Sequence, residues 1–307
     1  NRVPAHQIQE ERLKYLSDNK QIKAVTVMFS DLEGRLHMLD YDKKFLVKSF
    51  ENLTFDGSSI RGFTAQRESD LRLAMDWSSF YWAPSDIFGA GKALVFSEVM
   101  DKDGSAYSGD LRCVLKNYAN EQFAKNGYTL NAANEIEGFL FKGADAERSY
   151  HETGKFDYVN TGGYYHSLPG DLLRLFIDTT AEVQRAMGFE NEKDHPEVAP
   201  SQFEMNYSYA DVVTAADQIQ IYKLICRQVA TKMGLTASFL PKPVVGVNGS
   251  GMHTNVSITK GGKNIFWDPK GEEKMSKFSW QFVDRILTHA NDICLALNAS
   301  VNAYRRR

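Results

Sequence analysis

The pattern of apolar and polar residues divides the 307-residue chain into short strands and a few long helices. The clearest helix covers 214–233, where apolar residues recur every three or four positions and Gly234 follows. The runs 24–30 and 94–100 are rich in β-branched and aromatic residues, which is typical of strands. Further helices are predicted at 5–19, 43–50, 110–126, 171–187 and 276–298, and further strands at 35–39, 128–142 and 235–240. We expect the helix at 110–126 to open a second domain.

Composition and charge narrow the class of protein. The chain is 43% hydrophobic and 24% charged, which argues against disorder. A formal net charge of −3 argues against nucleic acid and anionic membranes as partners. No apolar run approaches the length of a membrane span, and the first residues lack a signal-peptide core. Cys113, Cys226 and Cys294 are far apart, each in a predicted helix, so we expect buried thiols in the cytoplasm rather than disulfides or zinc ligands.

Two glutamates, Glu197 and Glu204, are separated by an odd spacing, which would place them on opposite faces of one continuous strand. Pro200 has no N–H for a strand ladder, so it argues for two short strands joined by a turn at Pro200 and Ser201. Such a hairpin can bring both carboxylates onto one surface, where they need a cation or hydrogen-bond donors. The alternative is a solvated hairpin with two exposed glutamates.

A second carboxylate pair lies in the predicted strand 128–142. The spacing of Glu135 and Glu137 puts both on one face, about 6–7 Å apart along the strand. Like charges this close repel, and a bound cation would resolve the repulsion. A solvent-facing edge strand is the alternative, but the apolar Ile136 and Phe139 indicate substantial burial.

The glycine-rich segment 246–251 must turn with positive φ or approach another group closely. It runs into a strand rather than a helix, so binding of phosphate at a helix N-terminus does not apply. His253, Asn255 and Ser257 share one face of that strand. His253 is a candidate metal ligand, although a single histidine is more often structural.

Two further motifs leave their roles open. Asp56 stands in the polar loop 55–60 and could be a general base or only a turn-forming residue, as is usual for Asp-Gly. Tyr164 belongs to the glycine-tyrosine loop 161–165, which could contact a substrate or lie on the surface.

Together these side chains form a set suited to hard divalent cations. Four carboxylates and a neutral imidazole are typical ligands of Mg²⁺ or Mn²⁺, and four negative charges favour two ions over one. Ions held in this way clamp nucleotide phosphates during transfer. The residues therefore predict a metal-dependent phosphoryl-transfer or ATP-dependent ligase site. The proposed ligands are Glu135, Glu137, Glu197, Glu204 and His253.

The ordered set of motifs resembles the glutamine synthetase family in its bacterial, dodecameric form. It covers nearly the whole chain, and the set is far more specific than any single motif. The motifs carrying the resemblance are at 55–59, 134–137, 195–204, 242–243, 248–253 and 302–306.

The resemblance implies an α+β fold. A small N-terminal β-grasp domain at 1–105 would precede a larger catalytic domain at 106–307, in which helices flank an antiparallel sheet. In this family ATP phosphorylates the side-chain carboxylate of glutamate, and ammonia displaces the phosphate. The implied small-molecule partners are glutamate, ammonium and ATP with Mg²⁺ or Mn²⁺. The implied assembly is a homo-oligomer, a dodecamer, with active sites shared between subunits.

The resemblance also implies a role for individual residues. Glu137, Glu197 and Glu204 would hold one metal ion, and Glu135 and His253 would hold the second, on the ATP phosphates. The other implied positions are Asn248, Gly249 and Arg306 on glutamate, with His253 beside them; Glu192, Tyr209, Asn255 and Ser257 on the nucleotide side; and Asp56, Tyr164, Glu197 and Arg306 as catalytic residues. Asp56 would take a proton from ammonium across a subunit boundary, and these roles suit the side chains.

The chain departs from the family at two points. Asn255 stands where many members have a nucleotide-contacting histidine. The sequence also stops at 305–307, before the family's glutamate flap, its further arginines and a last carboxylate for the second metal. We therefore expect an incomplete chain, inactive as it stands. The alternative functions are a γ-glutamyl-amine ligase and a catalytically silent scaffold, although the five retained ligand residues argue against the scaffold.

Overall fold

Two β-sheets organise the chain, one in each of two structural units. The computed structural model describes residues 3–167 and 170–306. The first unit extends to Tyr118 and includes Ala186–Gly188, and the second comprises Ala119–Arg185 and the chain from Phe189 onward.

The helices of the described chain vary from one to nearly six turns. In order they are α1 Ala5–Asp18, α2 Lys43–Ser49, α3 Ser85–Phe88, α4 Leu111–Asn126, α5 Ala146–Thr153, α6 Leu172–Ala186, α7 Val212–Lys232, α8 Lys277–Thr288 and α9 Ala290–Leu297.

The first unit is built on a five-stranded sheet. Its strands are β1 Ala24–Ser30, β2 Leu36–Asp42, β3 Leu53–Asp56, β4 Asp70–Trp82 and β5 Lys92–Met100. They are ordered β2-β1-β5-β4-β3, with β1 and β5 parallel and the other neighbours antiparallel. Val25 and Val27 of β1 pack in one core with Leu16 of α1 and Leu46 of α2. β1 lies inside the sheet, between β2 and β5, and its five consecutive buried residues show that both of its faces are covered.

A buried ion cluster joins α4 to the sheet of the first unit. Asp76 of β4 accepts hydrogen bonds from Arg112 Nη2 at 2.9 Å and Lys116 Nζ at 3.0 Å, and Lys116 also pairs with Glu98 of β5. Burial alone would raise the pKa of Asp76, but the two cations hold it well below its ordinary value. The carboxylate therefore stays charged because its partners are fixed beside it.

The second unit is built on a seven-stranded antiparallel sheet. Its strands are β6 Tyr128–Lys142, β7 Asn191–Pro196, β8 Gln202–Tyr207, β9 Ala210–Asp211, β10 Leu235–Ser238, β11 Met252–Lys260 and β12 Lys263–Asn264. The main path is β12-β11-β6-β8-β7, and β9 and β10 also pair with β6. The long strand β6 is therefore the axis of this unit. Helix α7 packs against it: the Ala215 carbonyl accepts from Asn134 Nδ2, and the buried Tyr222 hydroxyl donates to the Ile136 carbonyl.

The expected α+β class is confirmed, and β1 and β6 have the predicted bounds. The prediction of one helix over 276–298 is wrong, because the chain breaks at His289 between α8 and α9. Cys113 and Cys226 are buried as expected, whereas Cys294 is only partly buried. Among the described helices, none is both long and apolar enough to cross a bilayer.

Candidate active site

The hairpin of β7 and β8 brings Glu197 and Glu204 together, as the sequence predicts. The turn between the antiparallel strands includes Ser201, which has a left-handed backbone conformation with a φ of +60°. One potential ligand atom from each of His195, Glu197 and Glu204 lies within 4.8 Å of the other two. The solvated-hairpin alternative is wrong, because the Glu197 side chain is only 12% exposed and Glu204 as a whole residue only 6%.

The neighbouring strand adds a third carboxylate. Glu137 of β6 is directly paired with Glu204 of β8. Burial and the nearby charges of Glu137 and Glu204 raise the pKa of Glu197. Three crowded carboxylates are therefore costly by themselves, and a divalent cation would relieve the repulsion. The three carboxylates are oxygen donors, which fit Mg²⁺ or Mn²⁺, and His195 places one ring nitrogen close to two of them.

Gln202 fixes the orientation of Glu137. Its amide Nε2 donates to Glu137 Oε2 at 3.0 Å and to the carbonyl of Gly249 at 3.2 Å, while its Oε1 accepts from Ala199 N at 3.1 Å. The backbone N–H of Gly251 also donates to Glu137 Oε2, at 2.9 Å. One buried amide thus joins a carboxylate, the hairpin turn and the glycine loop.

A second group lies along the same face of the sheet. Glu135 of β6 is paired with His253 of β11, and His253 Nδ1 lies 3.3 Å from Glu135 Oε2. Asn255 Nδ2 donates to Glu135 Oε1 at 3.0 Å. The two side chains proposed for the second ion therefore lie side by side and remain accessible, with His253 60% and Glu135 40% exposed.

Two cavities are lined by the residues that the sequence predicts for the site. One has a volume of about 500 Å³, and six predicted residues line it: Glu137, Glu197, Asn248, Gly249, His253 and Arg306. The other has a volume of about 310 Å³, and five predicted residues line it: Glu135, Glu192, Tyr209, Asn255 and Ser257. The positions predicted to bind glutamate thus line one cavity, and those predicted to contact the nucleotide line the other. The two predicted ligands of the second ion divide between the cavities, with His253 lining the first and Glu135 the second.

The glycine loop closes tightly against its neighbours. A Cβ atom on Gly249 would lie 2.4 Å from the carbonyl oxygen of Pro241 and 2.7 Å from Arg306 Cγ, so a side chain does not fit there. Arg306 Nη1 donates to the carbonyl of Ser250 at 3.0 Å. The sequence expectation of a close approach at this loop is confirmed at Gly249.

The tyrosine loop lies against the carboxylate hairpin. The rings of Tyr164 and Tyr165 stack with centroids 3.8 Å apart, and both meet the ring of His195 edge to face. The Tyr164 hydroxyl donates to the Tyr165 hydroxyl at 2.8 Å, and this bond raises the pKa of Tyr164 to about 12. The negative charges of Glu197 and Glu204 also raise the pKa of Tyr164.

Ser201 ties this loop to the hairpin turn. Its Oγ accepts from the backbone N–H groups of Val159 and Asn160 at 2.8 and 3.0 Å and donates to the Asn160 carbonyl at 3.1 Å. The carbonyl of Pro196 also accepts from Tyr165 N at 3.3 Å. The tyrosine loop is therefore hydrogen-bonded to the hairpin turn at both ends of that turn, at Pro196 and at Ser201.

Asp56 belongs to the first unit, where it caps a short 3₁₀ turn. Its Oδ1 accepts from Ser58 N at 2.9 Å and Ser58 Oγ at 2.6 Å, and its Oδ2 accepts from Ser59 Oγ at 2.6 Å. These hydrogen bonds lower the pKa of Asp56, and the bond from the Ser58 hydroxyl has the largest effect. The turn-forming interpretation accounts for these contacts, and the catalytic role of Asp56 stays a prediction.

Comparison with known proteins decides the family. A model of the glutamine synthetase β-grasp domain matches residues 21–102, and a model of the glutamine synthetase catalytic domain matches residues 108–307. The chain belongs to the glutamine synthetase family.

Relatives in this family resemble the chain over most of its length. The glutamine synthetase of Methanosarcina mazei is 37% identical over 94% of the chain and 63% of the relative. That of Staphylococcus epidermidis is 36% identical over 99% of the chain and 67% of the relative. The chain thus spans about two thirds of the length of these glutamine synthetases.

Solved structures in the glutamine synthetase family share the fold. A cryo-EM structure of Plasmodium falciparum glutamine synthetase has a TM-score of 0.85 and 25% identity, over 97% of this chain and 63% of that one. GmaS without ligand has a TM-score of 0.81 and 26% identity, over 93% of this chain and 66% of that one. The expectation of a β-grasp domain followed by a catalytic α+β domain is confirmed.

Sequence reasoning gave no role of their own to four residues that contact the predicted site residues: His195, Gln202, Asn206 and Tyr165. Gln202 and Asn206 lie two residues either side of Glu204, so strand alternation alone places them on its face. Tyr165 gave no separate signal, because its contact with Tyr164 depends on a positive φ of 57°.

Proposed function

We propose that the protein ligates ammonia to the side-chain carboxylate of L-glutamate, using ATP and a γ-glutamyl phosphate intermediate. The observation that carries the proposal is the carboxylate hairpin, in which Glu197 and Glu204 lie within ligand distance of each other and Glu137 is paired with Glu204 in the sheet. Glu137 and Glu197 line one cavity together with Arg306. Family membership and the named relatives support the same reaction class.

We assign the metal ligands by their grouping on the sheet. Glu137, Glu197 and Glu204 would hold one Mg²⁺ or Mn²⁺ ion, and Glu135 and His253 would hold the second. Bound divalent ions neutralise charge on the transferred phosphoryl group and the leaving nucleotide. The chain's own contribution is to hold the carboxylates in place through Gln202 and the hairpin turn.

The larger cavity suits glutamate. Arg306 offers a guanidinium for a carboxylate, and Asn248 offers a side-chain amide. Gly249 lets the loop pack directly against Pro241 and Arg306, because a Cβ atom there would clash with both. The smaller cavity, with Glu192, Tyr209, Asn255 and Ser257, would receive ATP.

The acceptor amine would bind beside Tyr164 and Glu197. Tyr164 donates its own proton to Tyr165, which leaves lone pairs on its oxygen free to accept from an ammonium cation. We assign Asp56 of a neighbouring subunit as the base that takes the proton, in a homo-oligomer, a dodecamer by family analogy.

The domain boundary and the location complete the proposal. A boundary between residues 105 and 106 is supported by the gap between the two family matches, at 102 and 108. A cytoplasmic location is supported by three free cysteines, none in a disulfide among the described residues.

The decisive experiment measures phosphate release by the protein expressed from its complete gene. ATP, glutamate and ammonium with Mg²⁺ should give phosphate and glutamine in equal amounts. Phosphate release that requires an alkylamine instead of ammonium would replace ammonia ligation with γ-glutamyl-amine ligation. The half-exposed aromatic pair Tyr164–Tyr165 favours this alternative, because its rings offer an apolar surface to an alkyl group. Absence of both activities and of Mg²⁺-dependent nucleotide binding would indicate a silent homologue.

A further inference from the structure

Asn206 on β8 has one end of its side chain fixed and the other end unpaired. Its Nδ2 donates to Glu204 Oε1 at 2.6 Å. Because a carboxylate only accepts hydrogen bonds, this contact sets the orientation of the amide. The Oδ1 atom is buried and has no hydrogen-bond partner among the described residues, and the whole residue is 9% exposed. A buried carbonyl oxygen without a donor or cation is unusual in a folded protein.

The strand register places Asn206 in a row with the second ligand group. Glu135 of β6 is paired with His253 of β11 on one side. On the other side Ile136 is paired with Met205 of β8, so continuing that register by one residue brings Asn206 beside Glu135. Glu135 and Asn206 also line the same cavity of about 310 Å³. His253, Glu135 and Asn206 thus occupy adjacent positions across three neighbouring strands.

We propose that Asn206 Oδ1 is a further protein ligand for the divalent cation on the nucleotide side, beside Glu135 and His253. Amide carbonyl oxygens are ordinary ligands of hard divalent ions, and an ion would satisfy the unpaired atom. The inference rests on the proposed function, because it assumes that Glu135 and His253 bind a metal ion. It adds that one side chain would join the two metal positions: Nδ2 orients Glu204, and Oδ1 would coordinate the second ion.

Binding of Mn²⁺, followed by electron paramagnetic resonance with and without ADP, tests the inference without any activity measurement. The wild type should show two classes of site, one of which ADP strengthens. Asn206→Leu, which has neither amide atom, should weaken the ADP-linked class about 10-fold or more. Asn206→Asp keeps an oxygen at the same place and should bind Mn²⁺ in that class at least as well as the wild type.

Asn191→Leu is the matched control. Asn191 on β7 also donates through Nδ2, to Gln184 Oε1 at 3.2 Å, and also has a buried, unpaired Oδ1 among the described residues. It does not line either cavity of the site. We expect its Mn²⁺ binding to equal that of the wild type, and circular dichroism checks the fold of all three variants.

The outcomes separate the inference from the proposed function. Unchanged Mn²⁺ binding in Asn206→Leu overturns the inference alone. Equal weakening in Asn206→Leu and Asn206→Asp also overturns it, because the side chain would then act only by donating to Glu204. A wild-type protein that binds no Mn²⁺ refutes the proposed metal sites and the inference together.

Discussion

Replacement of Gln202 by leucine tests how much of the site's order depends on one buried amide. Gln202 is 1% exposed, and leucine has a similar size, so apolar packing should change little. What is lost is the set of hydrogen bonds to Glu137, Gly249 and Ala199. Each buried group that loses its partner costs about 1–3 kcal/mol, but Glu137 keeps the bond from a backbone N–H. We therefore expect a loss of about 3–5 kcal/mol in the free energy of unfolding.

Thermal unfolding, followed by near-ultraviolet circular dichroism without divalent ions, measures this loss. For a domain of 150–250 residues, about 1 kcal/mol lowers Tm by about 2–4 °C, so Gln202→Leu should lower Tm by at least about 6 °C. Gln202→Glu keeps the size and the acceptor for Ala199 but cannot donate to Glu137, and should be at least as unstable. Gln281→Leu, at an exposed position of α8, is the control and should change stability by less than about 0.5 kcal/mol. A Gln202→Leu protein whose Tm falls within about 2 °C of the wild type would refute the assigned role of the amide.

Three further variants probe other parts of the structure. Asp76→Asn should cost about 3 kcal/mol at pH 7, measured by urea unfolding, because it removes the carboxylate beside the buried Arg112 and leaves Lys116 with its pair to Glu98. Since the pKa of Asp76 in the folded protein lies below its ordinary value of 3.8, the wild type should lose this stability as pH falls below about 4. An Asp76→Asn variant with the same acid sensitivity would contradict this role of Asp76. Gly249→Ala should weaken glutamate binding at least 10-fold in calorimetry, since its Cβ would meet Pro241, while nucleotide binding should persist. Tyr165→Phe should raise KM for ammonium several-fold but leave KM for glutamate unchanged, because the Tyr164 hydroxyl loses the acceptor for its proton; equal changes in both would argue against this role.

The parts of the fold that could be predicted are those with one dominant local signal. Strand β6 is bounded by Gly127 and Gly143 and has continuous strand character, so its limits follow from the sequence. The hairpin follows from Pro200, which cannot continue a strand ladder. By contrast, β4 contains an irregularity between Met75 and Phe80 that disturbs the alternation of apolar residues, and no strand is predicted there.

The candidate site likewise has parts that the sequence predicts and parts that it does not. Carboxylates spaced along strands predict which face carries charge, and the register then brings Glu137 next to Glu204. Pairing between strands far apart in sequence is not visible locally, so the row that joins Asn206 to Glu135 and His253 emerges only from the sheet. The stack of Tyr164 on Tyr165 likewise requires a backbone conformation that sequence patterns do not reveal.

The three hydrogen bonds of Ser201 have a mechanical consequence. They attach the backbone at Val159 and Asn160 to the hairpin turn, close to Glu197. Any displacement of the tyrosine loop must therefore carry the Glu197 carboxylate with it or break a buried hydroxyl's bonds. Substitutions in the loop and in the turn should consequently show non-additive free energies, so that acceptor recognition and cation binding vary together rather than separately.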